Sequence, residues 1–140
     1  MKAHKQKGFS LIELLIVVVI VGVIATVALP YLVKAKYASE NAAMYATLRT
    51  MSSAQIGFYT HNARYATLVE LNAMQGNSFG TVVGNNLRRG SFTLDMGDVT
   101  ADDPSLRNDF TITATKIIDG NELPYIISVN ASGRIIQVTP

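Results

Sequence analysis

Apolar and polar positions divide this chain into three regimes. Residues 14–33 contain no charged side chain, and Leu14, Leu15, Ile16, Val17, Val18, Val19, Ile20 and Val21 form an unbroken apolar run. Twenty helical residues at ~1.5 Å each span about 30 Å, the hydrocarbon thickness of a bilayer. A helix apolar on every side is buried in lipid or in protein. Pro30 removes a backbone donor, so a kink or local melting is expected there. Beyond Lys34 the pattern becomes amphipathic. Met44, Leu48, Met51, Ala54 and Phe58 recur at spacings of three and four and define one apolar helix face. Arg49, Ser52, Ser53 and Gln55 are assigned largely away from it. The two regimes read as one helix from about Phe9 to about Tyr59, its first half suited to lipid or other helices and its second to packing on a domain.

The third regime is short-range. Thr67-Leu68-Val69-Glu70 fits a capping box ahead of a short helix carrying Leu68, Leu71 and Met74. Gly76, Gly80, Gly84, Asn85 and Asn86 read as loop. Three alternating segments follow: Phe92, Leu94 and Met96; Phe110, Ile112 and Ala114; and Tyr125, Ile127 and Val129. The last returns as a hairpin through the turn Asn130-Ala131-Ser132-Gly133 to Ile135–Val138. The class is α+β, a long N-terminal helix packed on a C-terminal antiparallel sheet. The segments are a leader (1–8), a transmembrane helix (9–33) and a head (34–140). The head divides into an amphipathic helix half (34–60), a loop (61–90) and a sheet (91–140).

Composition sharpens this division. The chain has 140 residues, 49% of them hydrophobic and 16% charged, enough for one domain. Lys2, Lys5 and Lys7 precede the apolar run and predict a cytoplasmic N-terminus. Of 12 basic residues those three lie before Gly8, leaving nine against ten acidic ones. The remainder is nearly neutral, so its basicity gives no reason to expect a nucleic-acid partner, and Arg88-Arg89 is too short to supply one. The chain has no cysteine, which excludes disulfides and thiolate chemistry.

The densest signal is Lys7-Gly8-Phe9-Ser10-Leu11-Ile12-Glu13-Leu14-Leu15. A small residue separates a basic leader from the apolar run, an aromatic follows at once, and a lone carboxylate stands four residues later. About a dozen strong hydrophobes in residues 14–29 favour insertion by roughly 4–7 kcal/mol, against about 2.5–3.5 kcal/mol for a charge at a helix centre. Insertion survives Glu13, and a carboxylate kept at such a rim is a functional-site hypothesis in need of a partner.

Here the sequence resembles the type IV pilin and type II secretion pseudopilin superfamily. The resemblance is specific over residues 7–36, looser through Ala54, Gln55, Tyr59 and Tyr65, and architectural beyond. It implies that a prepilin peptidase cuts after Gly8 and methylates the amino group of Phe9. It also implies polymerisation with further copies of the chain, driven by an assembly ATPase and an inner-membrane platform protein. The cationic amine of Phe9 would pair with Glu13 of a neighbouring subunit and fix axial register. The subunit would sit in inner-membrane lipid before joining an extracellular pilus, or a periplasmic pseudopilus in the alternative reading. Many such pilins close a C-terminal loop with a disulfide, which this chain cannot form. Major pseudopilins are known for a calcium loop. Asp98, Asp102, Asp103 and Asp109 lack the spacing of an EF-hand and read as a solvated acidic loop, so no metal or other cofactor is expected.

Other classes fit less of the sequence. A secretory signal cut near Thr26-Val27-Ala28 leaves Glu13 and the Gly8-Phe9 junction unexplained, and a plain single-span anchor leaves Glu13 unexplained. No catalytic residue is expected: there is no nucleophile motif, phosphate loop or paired-carboxylate signature. His61 reads as a surface residue, and Tyr31, Tyr37, Tyr45, Phe58 and Tyr59 read as packing residues.

Overall fold

The computed structural model describes residues 8–117 and 124–138. Lys2, Lys5 and Lys7 lie outside them. Helix α1 runs Leu11–Asn62 and continues through Pro30, so the local melting expected there is absent from the described helix. Its other turns keep their i→i−4 bonds around the one missing donor. The Thr26 hydroxyl donates back to the Val23 carbonyl at 2.7 Å, satisfying the one aliphatic hydroxyl in the uncharged run. The chain separates into two units, Met1–Ser39 and Glu40–Pro140.

In the first unit residues 11–39 are helix, and every described side chain is exposed. Its mean hydropathy reaches 3.0 over eighteen residues, none of them buried. By length and composition α1 can cross a membrane.

The second unit holds the core. Met44, Leu48 and Met51 of α1 are buried together with the inward residues of a six-stranded sheet. Ala54 and Phe58 pack against this cluster from the same face. Helix α2 (Leu68–Met74) begins at the capping box read from the sequence: Thr67 Oγ1 accepts from Glu70 N–H while Glu70 accepts from Thr67 N–H. The sheet comprises β1 (Thr81–Val83), β2 (Asn86–Arg89), β3 (Phe92–Asp95), β4 (Thr111–Lys116), β5 (Tyr125–Asn130) and β6 (Ile135–Gln137). They pair antiparallel in sequence order as a meander. Both edge strands are three residues long, which limits the template they offer to other chains.

Two readings are corrected. The sheet begins at Thr81, inside the segment read as loop from 61 to 90, because Gly84-Asn85 is a two-residue hairpin turn with Val83 opposite Asn86. Gly84 adopts φ +63°, and Gly at the first central position is what a II′ hairpin requires. Gly90-Ser91 repeats the device between β2 and β3, with Gly90 at φ +58°. Gly80 serves differently: a Cβ there would meet the Arg88 carbonyl oxygen at 2.6 Å, so glycine lets β1 approach β2. The second correction concerns Ser52 and Gln55, which are buried on the apolar face of α1. Gln55 lies four residues after Met51 and seven after Leu48, on the same stripe by helical period. It is buried because it is paired: Nε2 donates to the Ala66 carbonyl and Oε1 accepts from the Ala66 N–H, both at 2.7 Å.

Candidate functional site: the N-terminus of the long helix

Gly8, Phe9 and Ser10 precede α1 and are non-helical and exposed, with Phe9 82% accessible. Glu13 stands in the first helical turn. Its Oε2 accepts from the Ser10 N–H at 2.8 Å, and the Leu14 N–H bonds the Ser10 carbonyl at 3.2 Å. Ser10 is thus in the N-cap position, with Glu13 as the N3 residue reaching back to it. This is the carboxylate half of a Ser-x-x-Glu capping box, and it satisfies one of the donors a helix start leaves over. A carboxylate in the first turn also opposes the positive end of the helix dipole. The sequence reading recognised Thr67-x-x-Glu70 and missed Ser10-x-x-Glu13, although the spacing is identical. Pro30 lies in the same exposed apolar helix, two turns before Lys36.

The structure brings Glu13 together with Ser10 and leaves Gly8 and Phe9 outside the helix, accessible from all sides. Apolar Leu11, Ile12, Leu14 and Leu15 surround Glu13 on α1, each more than half exposed. This end of the helix has one acceptor group on an otherwise hydrocarbon surface.

Three acidic residues of the head, Asp95, Asp103 and Asp109, accept from backbone N–H groups. Asp103 Oδ1 accepts from Ser105 N–H at the start of a 3₁₀ turn (Pro104–Arg107), and the Ser105 side-chain bond together with that backbone bond holds its carboxyl below the usual range. Asp95 accepts from Gly97 N–H, and Asp109 from Phe110 and Ala131 N–H. Among the described residues no three His, Cys, Asp or Glu side chains gather as a metal site. His61 is exposed in the last turn of α1. Tyr45 and Phe58 pack on the core, whereas Tyr31 is 69% accessible.

Two polar groups in the head are held tightly. Arg64 makes a bidentate pair with Glu70 at 2.7 and 2.9 Å. That pairing, with the Thr67 N–H bond, holds the Glu70 carboxyl at about 2. Lys116, only 2% exposed, donates to Glu40 Oε2 at 2.8 Å. Burial and a bond to Tyr45 push the Tyr125 hydroxyl up to about 12.

Residues 3–29 match the prokaryotic N-terminal methylation motif. The chain is 33% identical over 79 residues to the type IV major pilin protein PilA of Myxococcus xanthus (strain DK1622). That match covers 54% of this chain and 36% of the relative, so the chain spans little more than a third of that protein. No solved structure matches. The motif, the relative and the α+β architecture of a long apolar helix with an antiparallel sheet agree, and all three point to the type IV pilin superfamily. This is a family of structural subunits.

Proposed function

We propose that the chain is the structural subunit of a type IV pilus filament. In this reading a prepilin peptidase cuts between Gly8 and Phe9 and methylates the new amine. The mature chain waits in the inner membrane, and copies polymerise through α1 with the help of an assembly ATPase and a platform protein. Pro30 would supply any bend that packing demands of the helix.

The observation that carries this reading is the first unit of the structure. It is a helix with a mean hydropathy of 3.0 and no buried residue, bearing one carboxylate in its first turn, inside a methylation motif. Such a surface far exceeds what a soluble monomer exposes. Lipid covers it before assembly, and neighbouring helices cover it afterwards. Cleavage places a cation at Phe9, and Glu13 of an adjacent subunit is its counter-charge in a low-dielectric setting. Similarity to a major pilin is what inclines this reading to the pilus over a secretion pseudopilus.

Intact-mass analysis of the protein from its native membrane tests the processing step. The expected product begins at Phe9 and carries one added methyl group. A mature chain beginning near Leu29 would establish a signal peptide instead, and an unprocessed chain would leave a plain anchor. Imaging of surface filaments in a deletion strain, beside a secretion assay, separates pilus from pseudopilus.

A further inference from the structure

Lys116 is the most deeply buried charged side chain among the described residues, at 2% exposure. In the strand register it lies between Phe92 of β3 and Tyr125 of β5, and its Nζ stands 5.4 Å from the centre of the Phe92 ring. Two side chains from one turn of α1 meet the amine. Glu40 Oε2 lies at 2.8 Å and Asn41 Oδ1 at 3.5 Å. Ser91 donates to the same Glu40 oxygen at 2.9 Å. An amine, a carboxamide and a carboxylate thus converge beside two aromatic rings.

We propose that Lys116 and Asn41 condense into an intrachain amide, with Glu40 as the proton carrier. The bond from Nζ to Asn41 Oδ1 holds the carboxamide beside the amine, and groups so positioned react as one molecule. The ammonium of Lys116 passes a proton to Glu40 across the 2.8 Å bond. The neutral Nζ attacks Asn41 Cγ, forming the new C–N bond. Glu40 returns its proton to the departing carboxamide nitrogen, the old C–N bond breaks, and the second proton on Nζ leaves through Glu40 to the ammonia. Ammonium departs, Glu40 ends as the carboxylate it was, and no oxidant or reductant is required. General acid–base transfer by one carboxylate suffices.

Glu40 alone would make this an ion pair, but the neighbouring carboxamide gives the amine an electrophile with a volatile leaving group. The bond would join α1 to β4 across 75 residues, closing the head covalently in a chain with no cysteine. It rests on the head alone and is independent of the filament reading.

Tryptic mapping of the full-length protein, extracted in detergent, tests it. In the wild type, trypsin should not cut after Lys116. Residues 37–49 should appear only joined to residues 108–134, the pair lighter than its sum by one ammonia. Lys116→Arg keeps a cation beside Glu40 but should release the two peptides separately, as should Asn41→Ala and Glu40→Gln. A wild-type chain cut after Lys116, with residues 37–49 unmodified, would overturn the proposal and leave an ion pair. Loss of water with the join mapped to Glu40 would also overturn it. The wild-type map decides the matter even if a variant does not fold.

Discussion

Replacing Gln55 by Leu removes two hydrogen bonds without opening a large cavity. Gln55 is fully buried, and its amide matches both main-chain groups of Ala66, itself fully buried, at 2.7 Å. Leu has nearly the same volume and no polar atom. The Ala66 N–H and C=O would then lie in the core with their partner gone, and each orphaned buried group costs about 1–3 kcal/mol. Two such groups cost about 4 kcal/mol at mid-range and the transfer of Leu into the core returns about 2 kcal/mol, so a net loss of about 2 kcal/mol is expected. Against a domain stability of about 5–15 kcal/mol, that is a clear fall in the urea midpoint with little change in slope. Circular dichroism in urea on the detergent-solubilised protein is the assay. Ile56→Thr, on the exposed side of the same helix, should leave the midpoint nearly unchanged. A Gln55→Leu protein as stable as wild type would refute the reasoning, since the Ala66 groups would then have found other partners.

Acid should weaken the head through Glu70. Its carboxyl lies near 2 in the folded protein against an ordinary 4.5. The stabilisation it gives is complete above about pH 4.5 and is lost as pH falls toward 2. The shift corresponds to about 3 kcal/mol, and a carboxylate about a third exposed retains on the order of 1 kcal/mol after solvent screening. Glu70→Gln should flatten the unfolding midpoint between pH 5 and 3, as circular dichroism would read. A chain beginning at Lys34 loses the exposed apolar helix and keeps every core residue from Met44 onward. It should be soluble without detergent and unfold at the wild-type midpoint, and a truncated chain that is unfolded would contradict the division at Ser39.

The sequence made the architecture legible wherever a signal was local. The uncharged run, the Met44–Leu48–Met51 stripe, the Thr67–Glu70 capping box and the inward alternation of β3, β4 and β5 all depend on neighbours within a few residues. Gln55 was misplaced because its polarity was weighed above its helical position. Only the folded chain reveals that Ala66 presents both main-chain groups to it. The β1–β2 and β2–β3 hairpins carry their signals in Gly84-Asn85 and Gly90-Ser91, but strands of three and four residues are too short for alternation to stand out. Glu13 was read for its charge and not for its place three residues after Ser10. The Lys116–Glu40 contact joins residues 76 apart and depends on the register of the sheet, which no local pattern encodes.

In the proposed filament Glu13 acts by its charge toward a neighbouring subunit. The structure separates this from a second role, because Glu13 also accepts from Ser10 N–H at 2.8 Å. Glu13→Gln keeps an acceptor for that bond, as Glu and Gln serve equally in capping boxes, and removes only the charge. Insertion should be unimpaired, since a rim carboxylate adds nothing to partitioning. Assembly should suffer, because removing one partner from a desolvated ion pair costs about 3–5 kcal/mol at every subunit contact. The direct measurement is the yield of sheared filaments from Glu13→Gln cells, normalised to processed subunit in the membrane. A normal membrane pool and few or no filaments are expected. Wild-type filament yield from that variant would contradict the charge role and leave Glu13 as a helix cap.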